Sequence, residues 1–145
     1  MNFDEFKQLT ESKKKINPIW FALEADKLPT AADIHAVESK LGVKMPMDYI
    51  NFVTEYGGGY FAFSNVFSLC KNSEWNILEQ NASYNSIPHS HVLISANGSG
   101  DFYGYKIESG QCLSAICFFD HESQTWSETD FANIYEYLAK YALTN

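Results

Sequence analysis

The spacing of hydrophobic positions changes near residue 60. Before it, apolar residues recur every three or four positions. Phe3, Phe6 and Leu9 predict a short amphipathic helix, and the lysines at 13–15 that follow suit a helix C-terminus. Thr30 with Asp33 three residues later reads as the cap of a second helix, which carries Ile34, Val37 and Leu41 on one face and stops at Gly42. Pro46 and Asp48 open a third, striped by Tyr49, Phe52, Val53 and Tyr56 and ended by Gly57, Gly58 and Gly59. The intervening "NPIWFALEADKLP" predicts only an irregular or partly helical link.

From Tyr60 onward, short aromatic and branched runs broken by turn formers predict strands. "YFAFSNVFSL" reads as two short strands about a bend at Ser64 and Asn65. "EWNILEQNASYN" reads as helix with Trp75, Leu78 and Ala82 inward; "HVLIS", "FYGYKI" and "LSAICFF" are strands. A closing helix is expected from Ser127 or Thr129, with Asp130 in its first turn and Phe131, Ile134, Tyr135, Leu138 and Tyr141 on the face that covers the sheet. Helices, then a meander of strands, then a helix make one α+β domain over residues 1–145, with helices packed on an antiparallel sheet.

A chain of 145 residues that is 46% hydrophobic and 16% aromatic is expected to bury a full core. No apolar run reaches the ~20 residues of a membrane helix, and "MNFDEFKQLTESKKK" does not resemble a signal peptide. The expected location is therefore the cytoplasm. Cys70, Cys112 and Cys117 are odd in number and form no C-x-x-C, so neither a disulfide framework nor a thiolate metal knuckle is expected.

Charge changes the picture more. Ten lysines face eighteen acids and arginine is absent. Residues 1–71 hold eight lysines and nine acids, a net −1, whereas residues 72–145 hold two lysines and nine acids, a net −7. Binding to nucleic acid draws on clustered Lys and Arg, so a −7 half without arginine argues against it. A basic protein partner fits the second half, and so does a surface that merely keeps the chain soluble.

The glycine cluster "SANGSGDFYGY" lacks the G-x-G-x-x-G spacing and the following helix of a dinucleotide loop; it reads as a hairpin turn in which Asn97 and Gly98 take positive φ. No G-x-x-x-x-G-K or G-x-S-x-G exists. His89 and His91 stand two apart, as a metal pair on a strand would, and His121 with Asp120 and Glu122 completes a site only if the strands adjoin. Two histidines alone are not a site, so no metal and no cofactor is expected. The acids of "DHESQTWSETD" lie among polar residues, unlike a carboxylate pair tuned for acid–base work. A hydrolase built on His121 would need a concave pocket with perturbed carboxylates.

"IHAVESKLGVKMPMDYINFVTEYGGG" resembles the signature of the SUKH superfamily, the cell-wall-assembly-regulator-like proteins. Ile34, Glu38, Leu41, Gly42, Pro46, Tyr49, Phe52, Gly58 and Gly59 match in order, while Met45 stands for the usual leucine and Gly57 for the usual asparagine. "NGSGDFYGYKIESG", with Gly100, Asp101 and Gly110, is similar to the hairpin of the family, and "FFDHES" and "TDFANIYEYLAKY" to its last strand and closing helix, so the resemblance covers about residues 31–141. It implies an α+β domain without catalysis. Most bacterial members look like immunity proteins that bind and neutralise a polymorphic toxin, often a nuclease; fungal members resemble regulatory scaffolds for cell-wall synthesis.

These readings combine into an acidic immunity protein that blocks a basic toxin, with Asp101, Glu108, Asp120, Glu122 and Glu128 facing the partner. The alternative is a non-catalytic scaffold or regulatory module of the cell-wall-regulator type. The identity of the toxin and the oligomeric state are left open.

Overall fold

The computed structural model describes residues 1–145. Helix α1 spans Phe3–Ile16, opened by a capping box between Asn2 and Glu5, and Lys13, Lys14 and Lys15 lie inside its last turn rather than after it. The link holds a 3-10 turn, Pro18–Phe21. Helix α2, Ala31–Leu41, has the expected reciprocal box of Thr30 and Asp33 and ends at Gly42 with φ 72°. Helix α3, Met47–Tyr56, follows Pro46 as its N-cap and buries Tyr49, Phe52 and Val53.

Glu38 ties the α2–α3 turn together. Its carbonyl accepts from the N–H of Gly42 at 2.9 Å and of Val43 at 3.2 Å, and its carboxylate from the N–H of Met45 at 2.7 Å. One residue thus satisfies three donors that the helix end and loop would otherwise leave open. Lys44, carried on this loop, bonds the backbone of Gly110 and Cys112 and extends the neighbouring sheet. Tyr49 then donates its hydroxyl to the carbonyl of Phe67 at 2.6 Å in the buried interior.

Gly57, Gly58 and Gly59 all take positive φ, and the irregular link explains why they must be glycine. The main-chain carbonyl of Asp26 occupies the space a Cβ on Gly57 would need, and the Asp26 carboxylate lies 3.0–3.1 Å from the Cβ position of Gly59. Asp26 donates its N–H to the carbonyl of Gly58 at 2.9 Å and accepts the hydroxyls of Ser68 and Ser73. The link is therefore a peg seated in the glycine loop.

Strands β1, Gly59–Phe61, and β2, Ser64–Val66, form a small antiparallel hairpin. The chain reverses at Ala62 and Phe63, with Ala62 at φ 49°, and not at Ser64 and Asn65, which are paired. Helix α4 is only Ile77–Ser83, capped by Asn76. It buries Ile77, with Trp75 and Leu78 against the core, and leaves Ala82 exposed, contrary to expectation.

The main sheet is an antiparallel meander of β3, His91–Ala96, β4, Phe102–Glu108, β5, Gln111–Asp120, and β6, Thr125–Glu128. The expected helix from Ser127 is not there. Ser127 pairs with Phe118 in β6, the Ile116 carbonyl accepts from both the N–H and hydroxyl of Thr129, and Ile116 donates its N–H to the Phe131 carbonyl. The β5 border therefore holds residues 125–131 extended, and α5 starts only at Ile134, capped by Asn133, and ends at Tyr141.

The register puts Tyr103, Tyr105, Ile116 and Phe118 on one face and Phe102, Gly104, Cys117 and Phe119 on the other. The first face packs on α3 and α5, through Tyr105 against Tyr49 and Tyr103 against Tyr137. On the second face Trp126 lies over Gly104 and stacks on His91, centroids 4.1 Å apart and planes at 7°. The outer border of β3 is closed by other chain segments. Asn81 exchanges both bonds with Leu93, Asn65 both with Ala96, and Phe67 donates its N–H to Ile94. A core of 27 buried residues joins these layers, and the whole is α+β, as expected.

Candidate interaction surface

Two hairpin turns meet at one end of the sheet. In the first, Gly98 and Gly100 take positive φ of 81° and 95° while Asn97 does not; Asn97 instead folds its side chain inward, accepting from the N–H groups of Ser99 and Asp101. In the second, the Asp120 carbonyl accepts from the N–H of Gln124, the Asp120 carboxylate accepts from the N–H of Glu122, and Gln124 takes φ 57°. A Cβ on Gly100 would come within 3.2 Å of the His121 ring, so the glycine lets the turns approach.

Asp101 joins them. Its Oδ1 accepts from the His121 N–H at 2.9 Å and lies 2.6 Å from Nδ1 of the same residue, and its Oδ2 accepts from the Asn97 amide at 2.9 Å. The His121 backbone bond, then the ring and Asn97, hold the Asp101 carboxyl down at about 2, and the Asp101 bond pushes the His121 imidazole up. Ligand atoms of Asp101, Asp120 and His121 fall within 4.8 Å of one another, the geometry a cation could use. Asp101 already has three donors, so the arrangement reads as an ion pair that staples two turns.

Of the five acids expected to face a partner, Asp101, Asp120 and Glu122 converge here. Glu108 closes the β4–β5 hairpin at the other end of the sheet, paired with Gln111. Glu128 pairs with Cys117 on the second face, where burial and then its charge push the Cys117 thiol up. The histidines do not converge either: His89 is exposed in the turn before β3, His91 lies flat on Trp126, and His121 is at the opposite end of the sheet. Cys70, Cys112 and Cys117 are free, and burial raises the Cys112 thiol to about 12, far from a reactive thiolate.

Beside the acidic end, on the α5 side, sits an aromatic cluster built from β4, β5 and α5. Tyr103 stands 5.2 Å from Phe118, 4.5 Å from Tyr137 and 5.8 Å from Tyr141 between ring centroids. Phe131 is 5.7 Å from Tyr141. The Tyr137 hydroxyl bonds Ser95 Oγ at 2.7 Å, which anchors the cluster from below. The signal was the i, i+2 recurrence of bulky side chains, Tyr103 and Tyr105 on β4 and Ile116 and Phe118 on β5, which alternation places on one face.

The architecture defines a class: helices on an antiparallel meander with a glycine loop pinned by an upstream aspartate. A family model described as SUKH_6, SMI1-KNR4 cell-wall, matches residues 31–138, and the chain belongs to that family. A protein of solved crystal structure from Pseudomonas syringae pv. tomato is similar in fold, with a TM-score of 0.71 at 13% identity, over 94% of this chain and 98% of that one. No curated protein matches the chain. The family motif falls on scaffold: Glu38, Gly42, Pro46, Tyr49 and Gly58 hold turns and core. No helix is long and apolar enough to cross a membrane.

Proposed function

We propose that this chain is an immunity protein that neutralises a basic protein toxin, in particular a nuclease, by occupying its cationic surface with the acidic end of the sheet. Family membership supports the immunity or scaffold class. The observation that carries the choice is the convergence of Asp101, Asp120 and Glu122 on two stapled turns of a chain half with net −7.

A nuclease must offer cations to phosphate, and a fixed array of carboxylates answers the same positive field. Such complementarity raises association well above an unsteered ~10⁵–10⁶ M⁻¹s⁻¹ at low salt. The turns are pre-ordered by Asp101 and Asn97, so little entropy is lost on docking. No step of catalysis is required; the action is stoichiometric, in the cytoplasm of the producing cell.

The test is co-expression with the product of the neighbouring gene, where that product is toxic on its own, scored by survival and by a pull-down. Protection together with a stable complex supports the proposal. Capture of a partner without protection from any toxin would favour the scaffold role instead.

A further inference from the structure

A groove of about 460 Å³ opens on the α5 side of the sheet, walled by Tyr103, Phe118, Phe131 and Tyr141 and bordered by Asp130. Its resident is Lys140, whose Nζ lies 5.8 Å from the Phe131 ring centroid and 5.7 Å from that of Tyr141. These distances are within the ~6 Å at which a cation is drawn to a ring face. The groove is thus already used, from within the chain, as a cation receptor.

We propose that this groove receives a guanidinium or ammonium group from a basic, extended segment of the partner protein, and that Lys140 swings out to admit it. The inference rests on the reading above that the partner is cationic, and it names the chemistry of the contact. Three observations support a cation over an apolar plug. The groove holds one now, Asp130 supplies a carboxylate at its border, and Lys140 is exposed and free to leave into water. The walls cost little to order, because Tyr141, although 43% exposed, is braced by Tyr137 at 5.6 Å and by Phe131.

The groove and the acidic end form one surface. Asp101 ends the turn that leads into β4, two residues before Tyr103, a separation of about 7 Å in extended chain. Asp120 and Phe118 are likewise two apart, on one face of the neighbouring strand β5. An extended partner segment with basic residues two apart would place one cation in the groove and the next against Asp101 and Asp120. Extended chains put such i, i+2 side chains on one side, at the same spacing.

The test uses N-acetyl-arginine amide as probe, with N-acetyl-glutamine amide as control, titrated into the full chain and followed by NMR of the aromatic side chains. Saturable shifts at Tyr103, Phe131 and Tyr141, absent with the control, are the expected result. Tyr141→Ala should weaken the probe by about two- to five-fold, and Lys140→Ala should tighten it by a similar factor. Linear shifts spread over all carboxylates, an unchanged affinity in Tyr141→Ala, or weaker binding in Lys140→Ala would overturn the proposal. Because both positions are exposed, an unaltered amide spectrum elsewhere certifies that each variant is folded. The titration contains no toxin, so its failure leaves the immunity reading intact. A wild-type chain that gives no protection sinks that reading, while the groove still stands or falls on the titration.

Discussion

Asp101 and His121 belong to different hairpins, and a 2.6 Å contact between Oδ1 and Nδ1 locks the two turns into one unit. The protonated ring is favoured in the folded chain, so its contribution is full below the ordinary histidine value and is lost as pH rises through the raised one. The Asp101 carboxylate contributes above its ordinary value and is lost as pH falls toward about 2. The staple is therefore strongest between about pH 4 and 6.5. An NMR titration should place His121 above its usual value, and Asp101→Asn should return it there; a His121 that titrates normally in the unaltered chain would refute the contact.

Gly57→Ala forces a methyl group into the Asp26 carbonyl at a backbone angle, φ 87°, that alanine disfavours. Destabilisation of about 1–3 kcal/mol is expected in urea unfolding. Asp26→Ala should cost a comparable amount by leaving the hydroxyls of Ser68 and Ser73 without their acceptor. Together the two should lose less than the sum, since each removes the same seat.

Gly104→Ala drives a Cβ to 2.9 Å from the Trp126 ring and against the Val92 carbonyl. Overpacking of this kind costs about 1–3 kcal/mol. The ring must lift from His91, so a shift in tryptophan emission should accompany the loss. Unchanged emission and stability would show that Trp126 does not lie over Gly104.

On the immunity role proposed above, Asp120→Lys with Glu122→Lys should slow association with the toxin and flatten its salt dependence in stopped-flow measurements. Glu108→Lys, at the other end of the sheet, changes the net charge by the same amount per residue but should act much less. Equal effects per charge would mean that the overall field, not this end, steers the encounter.

Local signals carried most of the helical half. The Thr30–Asp33 box, the Gly42 stop and the Tyr49 stripe are set by neighbours within four residues, and all three stand in the structure. The closing helix failed at its start because Ser127 and Thr129 are good caps whose backbone is claimed by Phe118 and Ile116 of β5, nine and thirteen residues away along the chain. Asp26 escaped notice for the same reason: its partners, Gly58, Ser68 and Ser73, are over thirty residues distant. At the candidate surface the acids were visible as composition, but which of them share an end depends on register, which sets Glu108 at the far end of the sheet and Glu128 opposite Cys117, at the rim of the α5-side groove.

The carboxamides of Asn65 and Asn81 bear on how the protein ages. Each presents one donor and one acceptor to a strand that would otherwise welcome a foreign chain. Deamidation of Asn81 would exchange its donor for a charged oxygen facing the Leu93 carbonyl, and a sealed flank would begin to repel its own cover. Resistance to fibrous self-stacking would then depend on two amide nitrogens, those that Asn65 and Asn81 offer to Ala96 and Leu93.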